Sequence, residues 1–240
     1  MNKYLESKLG KIFVLGLPRT GTTSICSTLL SLNYKVAHTA YTQATFNNAT
    51  AIADTPIFND YKALNVHYPQ SQFIYLTRDA KKWVPSIKQL LLRMHHNVVR
   101  NDGGFNPIIK RCYTEVFAPF TIENIKRDEF LLACYQQHKA EVTQYFKEQQ
   151  QPLLFIDVSN ANDYQKLLTF LNKRPLSTRA QVNSLSLDSL SFNSLSLDSS
   201  QLNFPLLNKG GKVTAWKDLK HRLKIESTKN GRCSSLDHIK

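Results

Sequence analysis

The chain predicts an α/β fold in three layers: a central, mostly parallel sheet flanked by helices. Two observations carry this. Short apolar runs rich in aromatic and β-branched residues, at 12–15, 73–77 and 153–157, read as buried strands. Between them lie longer stretches whose apolar residues recur at three- and four-residue steps, the pattern of helices that cover a sheet.

At 240 residues, with 42% hydrophobic and 20% charged residues, the chain is expected to form a single globular domain over 1–240. No apolar run approaches the ~20 residues of a membrane span, and the polar start at 1–10 does not read as a signal peptide. The four cysteines, Cys26, Cys112, Cys134 and Cys233, are scattered with no C-x-x-C pair, which suggests neither a disulfide framework nor a zinc site. A reducing, cytoplasmic setting is the simple expectation. The formal charge of +13 fits a polyanionic ligand. The basic residues are spread along the chain with no aromatic–basic RNA motif, so nucleic acid and membrane are not expected as partners.

The first strand stops at Gly16, and Leu17-Pro18-Arg19-Thr20-Gly21-Thr22-Thr23-Ser24 leads into a helix expected over 22–32. Strand, glycine-bounded loop and helix N-terminus form a cradle whose backbone N–H groups face an anion, with hydroxyls adding donors. The spacing from Gly16 to Gly21 is that of a G-x-x-x-x-G-K-[ST] loop, but Thr22 stands where the lysine would be. The loop's cation is Arg19 instead. That change points to an anion other than an ordinary nucleoside triphosphate.

Residues 34–39, which include His38, predict a short second strand, and 41–50 read as a polar connection. Residues 51–54 predict a strand carrying Asp54 at its C-terminal end, where ligands of open α/β sheets bind. Asp54 either faces that site or caps the helix expected over 57–68. The strand at 73–77 runs into Arg78, whose guanidinium offers a fork of donors to phosphate. Ser86 lies on the following helix, in which Pro85 predicts a kink. After a turn at 101–107, helices are expected over 108–120 and 123–149. The second has an apolar stripe of Leu131, Leu132, Tyr135, His138, Val142, Tyr145 and Phe146. A strand at 153–157 and a helix at 163–171 follow.

Residues 183–189 (Asn-Ser-Leu-Ser-Leu-Asp-Ser) recur as 193–199, so 175–203 reads as an inserted Ser/Leu-rich linker, flexible rather than a solenoid, with a small hairpin or an interaction surface as the alternative. A basic glycine loop around Lys209 and Gly210 and a helix at 215–225 complete the chain.

The segment Gly16-Leu-Pro-Arg-Thr-Gly-Thr-Thr-Ser24 resembles the 5′-phosphosulfate loop of the P-loop sulfotransferases, with Arg19 in place of the usual lysine. Arg78 and Ser86 have the spacing of that family's 3′-phosphate segment. Lys209-Gly210 and Trp216-Lys217 echo its C-terminal R-K-G-x-x-G-D-W-K motif, without the Arg and the G-D step. The resemblance implies a three-layer P-loop fold and a 3′-phosphoadenylyl sulfate (PAPS) donor. The sulfuryl group would pass to a hydroxyl or amine of a small molecule or glycan, and no metal is implied. It assigns Pro18, Arg19, Thr20, Gly21, Thr22, Thr23 and Ser24 to the 5′-phosphosulfate, and Arg78, Ser86, Lys209 and Gly210 to the rest of the nucleotide phosphate. Arg19 would also neutralise the leaving group. Cytosolic members carry a catalytic His two residues before a strand-end proline; here Asp54 stands two residues before Pro56 and takes the role of base, with His38 the runner-up. A P-loop kinase or NTPase, and a nucleotide-binding module without turnover, are the alternatives. The acceptor is not named by any short pattern, and a homo-oligomer is compatible with the sequence.

Overall fold

The computed structural model describes residues 10–172, 204–205 and 215–228. The insert expected at 175–203, Lys209 and Gly210 lie outside the described residues.

Five strands form one all-parallel sheet in the order β2-β3-β1-β4-β5. They are β1 (Ile12–Val14), β2 (Val36–Ala37), β3 (Ala51–Ala53), β4 (Gln72–Leu76) and β5 (Leu153–Ile156). β1 is central, with Phe13 opposite Ile52 of β3 and Phe73 of β4. The chain leaves β1 toward one edge, returns through β3, then crosses to build the other side. The carboxyl end of β1 is therefore the topological switch point, the place where such sheets bind ligands.

Alternation along the strands splits the core in two. Phe13, Ile52, Phe73 and Tyr75 face one side, where they pack with α3 (Ile57–His67), α4 (Ala80–Val99), α5 (Pro107–Val116), α6 (Ile122–Lys126) and α7 (Asp128–Glu148). Ile12, Val14, Ala51, Ala53, Ile74 and Leu76 face the other side, against α1 (Thr22–Ser31) and α8 (Ala161–Asn172). The expected α/β architecture is the observed one.

Several local expectations are corrected. The connection at 41–50 contains a helix, α2 (Gln43–Asn48), because the Thr42 hydroxyl accepts from Thr45 N at its start and Phe46 fills the core. α4 runs through Pro85 as one helix. The segment expected as helix 108–120 ends at Val116, and a separate short helix, α6, precedes α7. No helix forms at 215–225. A single 3₁₀ turn, Trp216–Asp218, leads into extended chain that pairs with β2, Val36 N donating to Leu223 O (2.9 Å) and Ile225 N to Val36 O (2.8 Å). β2 is too short to close its own edge, and this segment covers it.

No described helix is long and apolar enough to cross a membrane. Among the described residues, no group of three or more His, Cys, Asp or Glu side chains could hold a metal.

Candidate functional site

The loop between β1 and α1 is held from three directions. The Thr20 hydroxyl donates to Leu17 O at 2.6 Å, the buried Trp83 indole of α4 donates to Pro18 O at 3.0 Å, and Arg78 Nη1 donates to Arg19 O at 2.6 Å. Arg19 itself has φ 73. Gly21 is the N-cap of α1 at φ 108, and a Cβ there would lie 2.5 Å from Val158 Cγ2, so only glycine fits both the conformation and the space. Gly21 has no side chain to cap the helix. The N–H groups of Thr22, Thr23 and Ser24, which a first helical turn leaves without intrahelical partners, are thus available at the cavity these residues line.

Three side chains stand around this helix end. Arg19 Nε donates to Ser86 Oγ at 2.8 Å. Burial lowers the Arg19 pKa, and the neighbouring Arg78 and Arg93 guanidiniums lower it further. An anion between Arg19 and Arg78 would relieve that repulsion. Asp54, just past β3 and in the left-handed region at φ 52, is buried. Its Oδ1 accepts from Thr55 N (2.8 Å) and Thr55 Oγ1 (3.1 Å), and its Oδ2 accepts from Thr22 Oγ1 (3.1 Å). The Asp54 side chain makes no cap bond to α3, whose N-cap is Pro56; it turns toward the loop instead. His38, just past β2, has Nε2 3.2 Å from Thr23 Oγ1. Burial holds this imidazole below its ordinary value, Asp54 acts the other way and Lys224 lowers it again.

Adjacent threonines of α1 thus tie the loop to the ends of two strands, Thr22 to Asp54 and Thr23 to His38. The Thr20, Thr22 and Thr23 hydroxyls are engaged by the protein's own groups, so an anion here would be met by the backbone N–H groups of the helix start together with the Arg19 and Arg78 guanidiniums.

One cavity of about 510 Å³ is lined by Pro18, Arg19, Thr20, Gly21, Thr22, Thr23, Ser24, His38, Asp54 and Arg78, which brings together all but three of the site residues expected from sequence. Ser86 joins through Arg19. Lys209 and Gly210 are outside the described residues. The same cavity is lined by Lys82 and Tyr113, which sequence reasoning did not place there, and by Asp157, which it offered only as an acidic partner under the kinase alternative. Asp157 follows β5, and the rule that ligands gather at carboxyl ends of strands points to it. Tyr113 comes from the middle of α5 with no local signal. Its hydroxyl is pushed well above the usual tyrosine value by burial and then by Asp54.

Arginines at one end of the cavity, open helix N–H groups beside them and a buried carboxylate next to an imidazole can together bind a phosphate-like anion and accept a proton from a neighbouring hydroxyl. A family model described as a sulfotransferase domain matches residues 11–44 and 39–183. The comparison with curated proteins finds no match.

Proposed function

The chain belongs to the sulfotransferase domain family, and on that premise we propose that it moves a sulfuryl group from PAPS to an acceptor hydroxyl or amine. The observation that carries this reading is the grouping of Arg19, Arg78 and the open N-terminus of α1 with Asp54 and His38 around one cavity.

PAPS would supply an activated sulfuryl group on its 5′-phosphate. Thr22, Thr23 and Ser24 would bind that end through their N–H groups. Arg78 and Ser86, with Lys209 and Gly210, would hold the 3′-phosphate. Asp54 takes the acceptor's proton as the acceptor atom bonds to sulfur. Arg19 meets the negative charge left on the 5′-phosphate oxygen as its bond to sulfur breaks. Thr22 couples the two ends of this path, since its hydroxyl fixes Asp54 while its backbone begins the helix that binds the anion. His38 is the second group able to take the proton. The acceptor is a small molecule or glycan and the setting cytoplasmic.

A P-loop kinase or NTPase would need a cation at position 22. The Thr22 hydroxyl there bonds a carboxylate, which disfavours that reading. Calorimetric titration of 3′-phosphoadenosine 5′-phosphate (PAP) against Mg-ATP, on the wild type and Arg78→Ala, tests the proposal. Micromolar PAP binding that is lost in Arg78→Ala supports it. Preference for Mg-ATP, or binding of neither nucleotide, overturns it.

A further inference from the structure

His38 is held by more than the anion loop. It follows a strand of two residues, and among the described residues its ring has one hydrogen-bonding neighbour, Thr23 Oγ1. A side chain so placed retains rotational freedom unless something packs on its ring. The packing comes from far along the chain. The Trp216 indole stacks on the His38 imidazole with centroids 5.4 Å apart and planes 29° from parallel.

Trp216 is fixed in turn. Lys224 Nζ donates to Trp216 O (2.9 Å) and Leu219 O (3.1 Å), and its ammonium sits 5.2 Å from the centre of the Trp216 ring. The chain on either side of Lys224 is laddered to Val36, two residues before His38. Just after His38, the Thr39 and Ser227 hydroxyls are 2.5 Å apart, and Tyr41 N donates to Ser227 O. One C-terminal segment therefore grips the backbone on both sides of His38 and the face of its ring. This segment lies beyond the stretch that the family model matches.

We propose that Trp216 is a positioning residue for His38. Its indole keeps the imidazole edge-on to Thr23 beside the anion loop, so residues 215–228 back the active site from behind His38. The electrostatics agree. Among the described residues, the charged groups acting on His38 are Asp54 from the end of β3 and Lys224 from the C-terminal segment, and burial outweighs the carboxylate. Removing the indole admits water to the ring, which relieves that burial and raises the pKa of His38.

The test uses the full chain with ¹³C-labelled histidine, the His38 signal being assigned by its loss in His38→Gln. In the wild type, the His38 ring is expected to titrate below the ordinary value of 6.5, because burial disfavours its charged form. In Trp216→Ala the midpoint rises toward 6.5, and in Trp216→Phe, which can still stack, it stays near the wild-type value. PAP affinity in Trp216→Ala stays within about twofold of wild type, because the anion donors are untouched. Conversion of PAPS to PAP with water as acceptor falls about tenfold in kcat with KM unchanged, and Trp216→Phe restores it.

An unmoved His38 midpoint in folded Trp216→Ala overturns the proposal, as does a loss that Trp216→Phe fails to rescue. Should Trp216→Ala not fold, Trp216→Gln, which is closer to the indole in size but polar and unable to stack, serves in its place and is read the same way. The rate readout rests on the sulfuryl-transfer reading, whereas the ring titration does not. A wild type that fails to bind PAP would sink that reading and leave the titration to decide the role of Trp216.

Discussion

Arg78 Nη1 donates to the backbone carbonyl of Arg19 at 2.6 Å, so one guanidinium both braces the anion loop and lines its cavity. The bond uses one arm of a planar fork and leaves the other donors for a ligand. Lysine cannot serve both ends at once. Arg78→Lys is therefore expected to weaken PAP binding about 10- to 100-fold, the loss of one or two charge-assisted hydrogen bonds. Calorimetry checks it, and unchanged affinity would remove Arg78 from the donor site.

Asp54 and His38 compete for the role of base, and their neutral isosteres separate them. Asp54→Asn keeps the shape of the side chain and is expected to lower kcat by about 10²-fold or more while leaving PAP affinity near wild type. His38→Gln is expected to cost less. A larger loss in His38→Gln would exchange the two roles. Full activity in both would remove both from the role of base, whereas PAP binding without turnover in the wild type would point to a nucleotide-binding module whose cavity does no chemistry.

Gly21→Ala places a Cβ against Val158 at a backbone conformation that L-residues avoid. The strain is worth about 1–3 kcal/mol, and the helix N-terminus must shift to relieve it. Thermal unfolding should occur at a lower temperature, with PAP binding weakened in the same variant. Wild-type values for both would mean that the loop tolerates a side chain facing Val158.

Acid should destabilise the fold through its buried histidines. His138 Nε2 lies 2.7 Å from Phe58 O and must donate to it, so Nδ1 accepts from the Tyr75 hydroxyl at 2.9 Å and the ring is neutral. Burial lowers its pKa, as it lowers that of His38. A histidine depressed in the folded state is protonated first in the unfolded chain. The stability it contributes is complete above the ordinary value of 6.5 and is lost as pH falls through the folded-state pKa. Urea denaturation midpoints should be level above about pH 7 and decline below about pH 6. A midpoint that rises on acidification would contradict this.

Local signals in the sequence were enough to locate the loop, Asp54 and Arg78, because each stands at the end of an apolar strand run. The alternation of Ile12, Phe13 and Val14 between two cores follows from strand geometry and needs no tertiary information. What sequence did not disclose depends on contacts between distant segments. Tyr113 reaches the cavity only because α5 packs over the sheet, and the 3₁₀ turn at Trp216 owes its place to Lys224 and β2 rather than to any helical propensity of 215–225. α2 was obscured by a run of polar residues, although Thr42 and Phe46 supply its cap and its core contact. The Thr22–Asp54 and Thr23–His38 pairs are equally invisible in one dimension, since separations of 32 and 15 residues carry no periodic mark.

The pairing of Val36 with Leu223 and Ile225 also sets an order of events during synthesis. The anion loop, Asp54 and Arg78 leave the ribosome early and can assemble with the first four strands, whereas the outer neighbour of β2 lies more than 180 residues beyond that strand, the Thr39–Ser227 separation being 188. Contacts this distant in sequence form late. A nascent chain would thus pass through a stage in which the anion cradle is complete while His38 still lacks its aromatic backing. The imidazole side of the site matures last.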